Sequence, residues 1–311
     1  LRIVFMGSPQ AAIPSLEQLF TSGHELVAVY TQPDRPSGRG RGIAASAVKE
    51  AALNYGLKVM QPESVREAPA LQQLADFKPD VIVVCAFGQI LPQALLDIPP
   101  YQCINVHFSL LPKYRGAAPV AAAILAGDEF GGVTIQLVRK KLDTGPLLAG
   151  AAVPIAALDN TGTLMEKLSI VGARLLQEAL EGWRRGEIIP RPQDEAAASY
   201  FGQVNKEEGE IDWTKAAREI WRRVRAFYPW PGCFTRWKGK QLKINEAYII
   251  GGESGKEAGC VIALNGEAGL GITTGAGVLG VKRLQYEGKR DMTAAEFLRG
   301  QRDFIGSVLP G

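Results

Sequence analysis

The chain has 311 residues, enough for two domains, and its 46% hydrophobic and 22% charged content is that of an ordinary globular protein. A formal net charge of +3 is too small to argue for nucleic acid by itself, and no apolar run reaches membrane-spanning length. Four cysteines without metal or redox spacing, and only two histidines, His24 and His107, exclude a His-rich zinc site. Residues 1–5 read as a strand entering the fold rather than a leader, so the expected compartment is the cytoplasm.

Taken in order, residues 1–6 predict a strand. A helix follows over about 10–21, with Pro14 tolerable only in its first turn. Residues 26–31 and 58–61 read as strands, 48–55 and 64–76 as helices. The run D-V-I-V-V-C at 80–85 reads as a fully buried strand. This alternation predicts an α/β, Rossmann-like, mostly parallel sheet with helices on both faces, and a ligand crevice at the carboxyl ends of the strands. Gly7-Ser8-Pro9 is not G-x-G-x-x-G, so a dinucleotide site lacks support.

The tract Q-P-D-R-P-S-G-R-G-R-G at 32–42 is basic and rich in Gly and Pro. It predicts a mobile loop, either simply solvated or able to close on a phosphate backbone. After the central strand, A-F-G-Q-I-L-P at 86–92 is either an ordinary turn or a place where a flat ligand approaches the backbone at Gly88. Residues 116–126 are expected to open a helix, 133–138 and 147–153 to be strands, and 161–183 a long amphipathic helix. Polar, Pro/Gly-punctuated residues 184–203 read as a linker. Beyond a helix ending near 226, short apolar runs separated by glycine turns predict a small antiparallel, OB-like β-barrel closed by a helix over 294–302. The expected division is 1–188, a linker 189–205, and 206–311, with the small basic excess in the last part.

Q-C-I-N-V-H-F-S-L-L-P-K-Y-R-G-A-A-P at 102–119 stands out chemically. Asn105 and His107 are two apart on a predicted strand and share a face. An amide and an imidazole at a strand end can polarise a carbonyl and move a proton, although a lone His after an apolar strand is more often structural. Leu142-Asp143-Thr144-Gly145 could bring a carboxylate to that imidazole.

N-V-H-F-S-L-L-P-x-x-R-G-A-A-P followed by L-D-T-G resembles the signature of the enzymes that transfer a formyl group from 10-formyltetrahydrofolate. The resemblance implies Asn105, His107 and Asp143 as a catalytic trio, 10-formyltetrahydrofolate as cosubstrate, and no metal. It also implies a donor site along Phe87, Gly88, Ile90, Leu91, Ser109, Leu110, Leu111 and Pro112. The basic tract, with K-E-E-x-x-I-D-W, R-A-F-x-P-W-P-G and the small barrel, resembles the branch of that family acting on methionyl-tRNA. That extends the resemblance over almost the whole chain. It implies initiator tRNA as partner, contacts through Arg35, Arg39, Arg41, Lys238 and Lys240, and a monomer. Four stretches near the expected site depart from the usual pattern: Phe108, Val138-Arg139-Lys140-Lys141, Ser8-Pro9-Gln10-Ala11-Ala12 and Val120-Ala121-Ala122. Two other readings stay open: a formyltransferase for an amino sugar nucleotide or other small amine, and a tRNA-binding homologue that has lost catalysis.

Overall fold

A computed structural model describes residues 1–37, 42–252, 255–264 and 269–310. They form two compact units. The first comprises Leu1–Pro119, Phe130–Pro154 and Met165–Phe201; the second comprises Val120–Glu129, Ile155–Leu164 and 202–311.

In chain order the elements begin β1 (Arg2–Gly7), α1 (Ile13–Thr21), β2 (Glu25–Tyr30), β3 (Arg35–Ser37), β4 (Gly42–Ala44), α2 (Ala47–Asn54) and β5 (Val59–Met60). They continue with α3 (Ala68–Asp76), β6 (Val81–Cys85), α4 (Gln93–Leu96), β7 (Cys103–His107), β8 (Arg115–Gly116), α5 (Pro119–Ala126), β9 (Phe130–Leu137), β10 (Leu147–Pro154), α6 (Thr161–Arg184) and β11 (Tyr200–Phe201). The remaining elements are α7 (Ala217–Ala226), β12 (Cys233–Trp237), β13 (Lys240–Ile250), β14 (Val261–Ala263), β15 (Leu270–Thr273), β16 (Val278–Tyr286), β17 (Met292–Thr293) and α8 (Ala294–Gly300).

Local chemistry sets several boundaries. All five residues of β6 are buried, as its unbroken apolar run requires. Ser46 caps α2 by accepting from the Lys49 N–H at 3.0 Å. The helix expected from residue 64 begins only at Ala68, because Pro69 belongs in a first turn, where its missing N–H leaves no bond unmade.

The first unit is built on a seven-stranded sheet of order β10-β9-β7-β6-β1-β2-β5. The five strands β5, β2, β1, β6 and β7 run parallel; at one edge β9 pairs antiparallel with β7, and β10 antiparallel with β9. The chain builds outward through β2 and β5, then returns to lay β6 and β7 on the other side of β1. The strand order therefore reverses between β1 and β6, and the carboxyl ends there open the crevice that such sheets use for ligands.

Three expectations change. The basic tract is not loop throughout: β3 and β4 pair antiparallel, Arg35 opposite Ala44. Its base is anchored, because Asp34 takes Lys49 Nζ at 2.5 Å and Gln61 Nε2 at 2.7 Å, bonds that hold its carboxyl below the usual range. Gly116 is strand rather than helix, paired with Phe201 at φ +117°, and a Cβ there would lie 2.4 Å from the Phe201 carbonyl oxygen. The stretch read as a linker folds onto the first unit as far as Phe201, since β11 pairs with β8.

The second unit holds a six-stranded antiparallel half-barrel of order β12-β13-β16-β15-β14, with β17 on β16. It packs Trp237, Tyr286, Phe297 and Phe304 against one another, edge to face except for the tilted Trp237–Tyr286 pair, with centroids 4.9–6.0 Å apart. A capping box between Thr293 and Glu296 starts α8.

Candidate active site

Asn105 and His107 lie on one face of β7, opposite Gln136 and Thr134 of β9. The result is a four-residue polar column inside an apolar sheet. Val106 and Phe108 take the other face. A Cβ on Gly172 of α6 would lie 3.2 Å from Val106 Cγ1 and 3.7 Å from Phe108 Cε1, so the helix packs closely there. The large residue at 108 therefore points away from the polar column.

His107 and Asp143 are brought together with side chains only 7% and 8% exposed. The ring is oriented from outside the pair. Nε2 lies 3.0 Å from the Tyr114 carbonyl oxygen, which can only accept, so Nε2 carries a proton. Nδ1 is left facing Asp143 Oδ2 at 3.7 Å, beyond hydrogen-bond length. The carboxylate is already occupied: Oδ2 accepts the Gly116 N–H at 2.9 Å and Oδ1 accepts Gln136 Nε2 at 3.0 Å. Asp143 has φ +53°, a left-handed conformation unusual for a non-glycine residue. Its neighbour Gly145 is obligatory, since a Cβ there would lie 1.5 Å from the Leu137 carbonyl oxygen. Asn105 differs from the other two. It is half-buried, and among the described residues its carboxamide has no hydrogen-bond partner, so both its donor hydrogens stay available.

Thr134 closes the column. Its hydroxyl donates to the Ser109 carbonyl at 2.7 Å and accepts the Leu111 N–H at 3.1 Å, pinning the loop after β7. Of the expected donor-site residues, Phe87, Leu91, Ser109 and Leu111 are buried, Leu110 and Pro112 half-buried, and Gly88 and Ile90 exposed. The Phe87 carbonyl accepts from Ser8 Oγ at 3.2 Å and Gln32 Nε2 at 3.0 Å, tying this turn to the loops after β1 and β2 at the strand-order reversal. A cavity of about 420 Å³ lies along the start of β7, lined by Gln93, Leu96, Gln102, Cys103, Val138 and Arg139 among others. None of the eight expected donor-site residues lines it, although Leu91 and Pro92 lead into α4, which does. Arg139, one of the departures, lines it and donates to Gln102 Oε1 at 2.9 Å.

Residues 193–201 complete the site, and sequence reading did not assign them a part. Arg115, 0% exposed, donates to Gln193 Oε1 at 3.1 and 2.9 Å, to Glu195 at 3.0 and 2.7 Å and to the Tyr200 hydroxyl at 2.8 Å. Gln193 Nε2 donates to the carbonyl oxygens of Asp143 at 2.8 Å and Gly145 at 2.7 Å. The available signal was Arg115 itself: R-G-A-A-P offers a guanidinium no nearby acid, and a buried one demands acceptors from elsewhere. The four cysteines are buried thiols, and burial pushes those of Cys85, Cys103 and Cys233 up to about 12. Among the described residues no cluster of three His, Cys, Asp or Glu side chains could hold a metal ion, and no helix is long and apolar enough to cross a membrane.

Residues 1–180 match the formyl transferase family and residues 203–302 its C-terminal domain. The chain is 48% identical over 308 residues to the methionyl-tRNA formyltransferase of Dehalococcoides mccartyi, covering 98% of this chain and 97% of that one. It is 45% identical to the protein of the same name from Bacillus pumilus, covering 99% and 97%. The chain belongs to the methionyl-tRNA formyltransferase family. Among solved structures it is similar in fold to an N-formyltransferase from Helicobacter canadensis in complex with folinic acid and dTDP-3-aminofucose. The TM-score is 0.68 at 20% identity, over 90% of this chain and 99% of that one. It is also similar to HypX from Aquifex aeolicus in complex with tetrahydrofolic acid, with TM-score 0.63 at 20% identity over 99% and 48%.

The residues expected to meet RNA in this formyltransferase family member fall into three groups. Arg35 is exposed on β3. Arg39 and Arg41 lie outside the described residues. Lys238 and Lys240 flank the turn between β12 and β13, where each is engaged. Lys238 pairs with Asp303, whose carboxyl that bond holds below the usual range, and stands 4.4 Å from the Trp237 ring centre. Lys240 lies 5.9 Å from that of Tyr286.

Proposed function

We propose that the protein transfers a formyl group from 10-formyltetrahydrofolate to the free α-amine of methionine esterified to initiator tRNA, yielding the formylated initiator for translation. The observation that carries the reading is the unpartnered Asn105 carboxamide beside the buried His107, held through Nε2 alone, and the Asp143 carboxylate. Free donors at a half-buried strand end, next to a fixed acid–base pair, suit a reaction in which oxygen gains charge.

The donor, when bound, supplies an electrophilic formyl carbon on a folate nitrogen. We assign it to the turn at Phe87–Leu91 and the loop at Ser109–Pro112, which follow the carboxyl ends of β6 and β7. Asn105 Nδ2 donates to the formyl oxygen as negative charge collects on it. His107 Nδ1, the nitrogen not held by Tyr114, takes up the proton that the attacking amine sheds and passes it to the folate nitrogen as the bond from that nitrogen to the formyl carbon breaks. Asp143 fixes the sign of the field beside that ring, its own geometry set by Gly116 and Gln136. Arg35, with Arg39 and Arg41, is assigned to the phosphate backbone, and Lys238 and Lys240 to a weaker peripheral contact, given the pairing of Lys238 with Asp303. The protein acts as a cytoplasmic monomer in this reading.

The test is formyl transfer from 10-formyltetrahydrofolate to charged initiator tRNA, beside a charged elongator tRNA and a panel of small amines including an amino sugar nucleotide. Transfer to the initiator alone supports the proposal. Transfer only to a small amine, or tight tRNA binding with no transfer, refutes it.

A further inference from the structure

We propose that Gln193, seated by Arg115, is a positioning residue that sets the Asp143 carboxylate; this rests on the part assigned to Asp143 above. The argument is one of donor and acceptor polarity. A guanidinium has only donors. Two of the Arg115 N–H groups point at Gln193 Oε1, at 3.1 and 2.9 Å, and so dictate which end of that amide faces them. Gln193 Nε2 must then face the Asp143 loop, where it meets the carbonyl oxygens of Asp143 and Gly145 at 2.8 and 2.7 Å and Gln136 Oε1 at 3.3 Å.

That last contact passes the polarity on. With Oε1 of Gln136 turned toward Gln193, its Nε2 turns toward Asp143 Oδ1 at 3.0 Å. A primary amide can otherwise lie either way round, and the reversed form would set an oxygen against the carboxylate. Arg115 therefore decides, through two amides in series, that Asp143 meets a donor at Oδ1. The Gly116 N–H, next in sequence to Arg115, fills Oδ2 at 2.9 Å. The backbone of Asp143, held at φ +53°, is restrained by the same Gln193 nitrogen.

Arg115 is itself locked by the Glu195 ion pair and the Tyr200 hydroxyl. A fully buried arginine is a costly way to tack down a surface segment that apolar packing could hold. It is an effective way to impose one direction on a chain of amides that ends at a carboxylate.

The test uses the full chain and compares Gln193→Glu, Gln193→Met, Asp143→Asn and the double variant Asp143→Asn with Gln193→Glu. Gln193→Glu keeps the acceptor for Arg115 but turns an oxygen on the Asp143 and Gly145 carbonyls. The expected result is a kcat loss of roughly tenfold to a hundredfold, with KM for both substrates changed by less than about threefold. The double variant should be no slower than Asp143→Asn alone, because a residue acting through Asp143 has nothing left to position. If Gln193→Glu melts below the assay temperature, Gln193→Met, near in volume and uncharged, carries the same comparison. Wild-type turnover in both Gln193 variants beside an inactive Asp143→Asn overturns this inference and leaves the functional reading standing. Multiplying losses in the double variant also overturn it. Near-normal turnover in Asp143→Asn overturns the part assigned to Asp143, leaving the transfer reaction itself standing, and any loss in Gln193→Glu then acts through another group, which overturns the inference as well.

Discussion

Truncating Asn105 to alanine separates chemistry from folding. Its carboxamide makes no hydrogen bond among the described residues, so the substitution breaks no internal bond and strands no buried partner. The residue is half-buried on a strand whose backbone pairing with Val84 and Gln136 is independent of the side chain. Stability should therefore change by about 1 kcal/mol or less, a Tm shift of about 2–4 °C at most. The rate should fall far more. Removal of one donor to a developing oxyanion costs roughly a hundredfold to a thousandfold in kcat, or about 2.7–4 kcal/mol. Asn105→Asp gives the sharper comparison, because it keeps the shape and replaces the donor with an acceptor; it should do no better than alanine. Single-turnover formyl transfer with both substrates saturating, paired with thermal melts, reads both quantities. An alanine variant within about fivefold of wild type would refute the oxyanion argument. So would a loss that tracks a large fall in Tm.

Other consequences are open to measurement. Thr134→Val keeps the shape but leaves the Ser109 carbonyl and Leu111 N–H without their buried partner, and should cost about 1–3 kcal/mol in urea unfolding; an unchanged midpoint would mean that the loop after β7 is held elsewhere. Glu195 has its carboxyl held below the usual range, first by the hydrogen bond from Arg115. Its folded value lies below its unfolded one, about 4.3, so its contribution is complete above that pH and is lost as pH falls through the folded value. Glu195→Gln should accordingly remove part of the acid sensitivity of unfolding below about pH 4, read as urea midpoints against pH, and an unaltered acid limb would contradict the assignment. Arg35→Ala should lower the slope of log affinity for tRNA against log salt by roughly 0.7–0.9, and an unchanged slope would remove Arg35 from the interface.

The elements that sequence reading recovered are those whose signal is local. V-I-V-V-C at 81–85 can hardly be anything but a buried strand, and the alternation of Asn105 and His107 followed from the two-residue period of β7. The half-barrel strands were legible because glycine turns separate short apolar runs. What escaped depends on partners distant in sequence. Arg115 meets Gln193, Glu195 and Tyr200 across 78 to 85 residues, and no periodicity in R-P-Q-D-E announces that. Gly116 was read into the following helix because its strand partner, Phe201, lay in a stretch that composition marks as linker. The pairing of β3 with β4 was hidden by glycine, proline and arginine, which weaken any strand pattern. Sequence reading could bring the Asp143 carboxylate toward His107, but the bond that orients the ring is made by a backbone carbonyl, invisible to sequence.

The return of residues 193–201 to the Asp143 loop also has a consequence in time. Fifty residues separate Asp143 from Gln193. A ribosome adding roughly 5–20 residues per second needs about 2.5 to 10 s to make that interval. For those seconds a nascent chain carries Asn105, His107 and Asp143 with the carboxylate loop unclamped and the Arg115 guanidinium without its carboxylate partner. The site is assembled retroactively, by chain made after the long helix rather than before it, so synonymous changes that slow translation between codons 143 and 201 should lengthen the life of this unclamped intermediate.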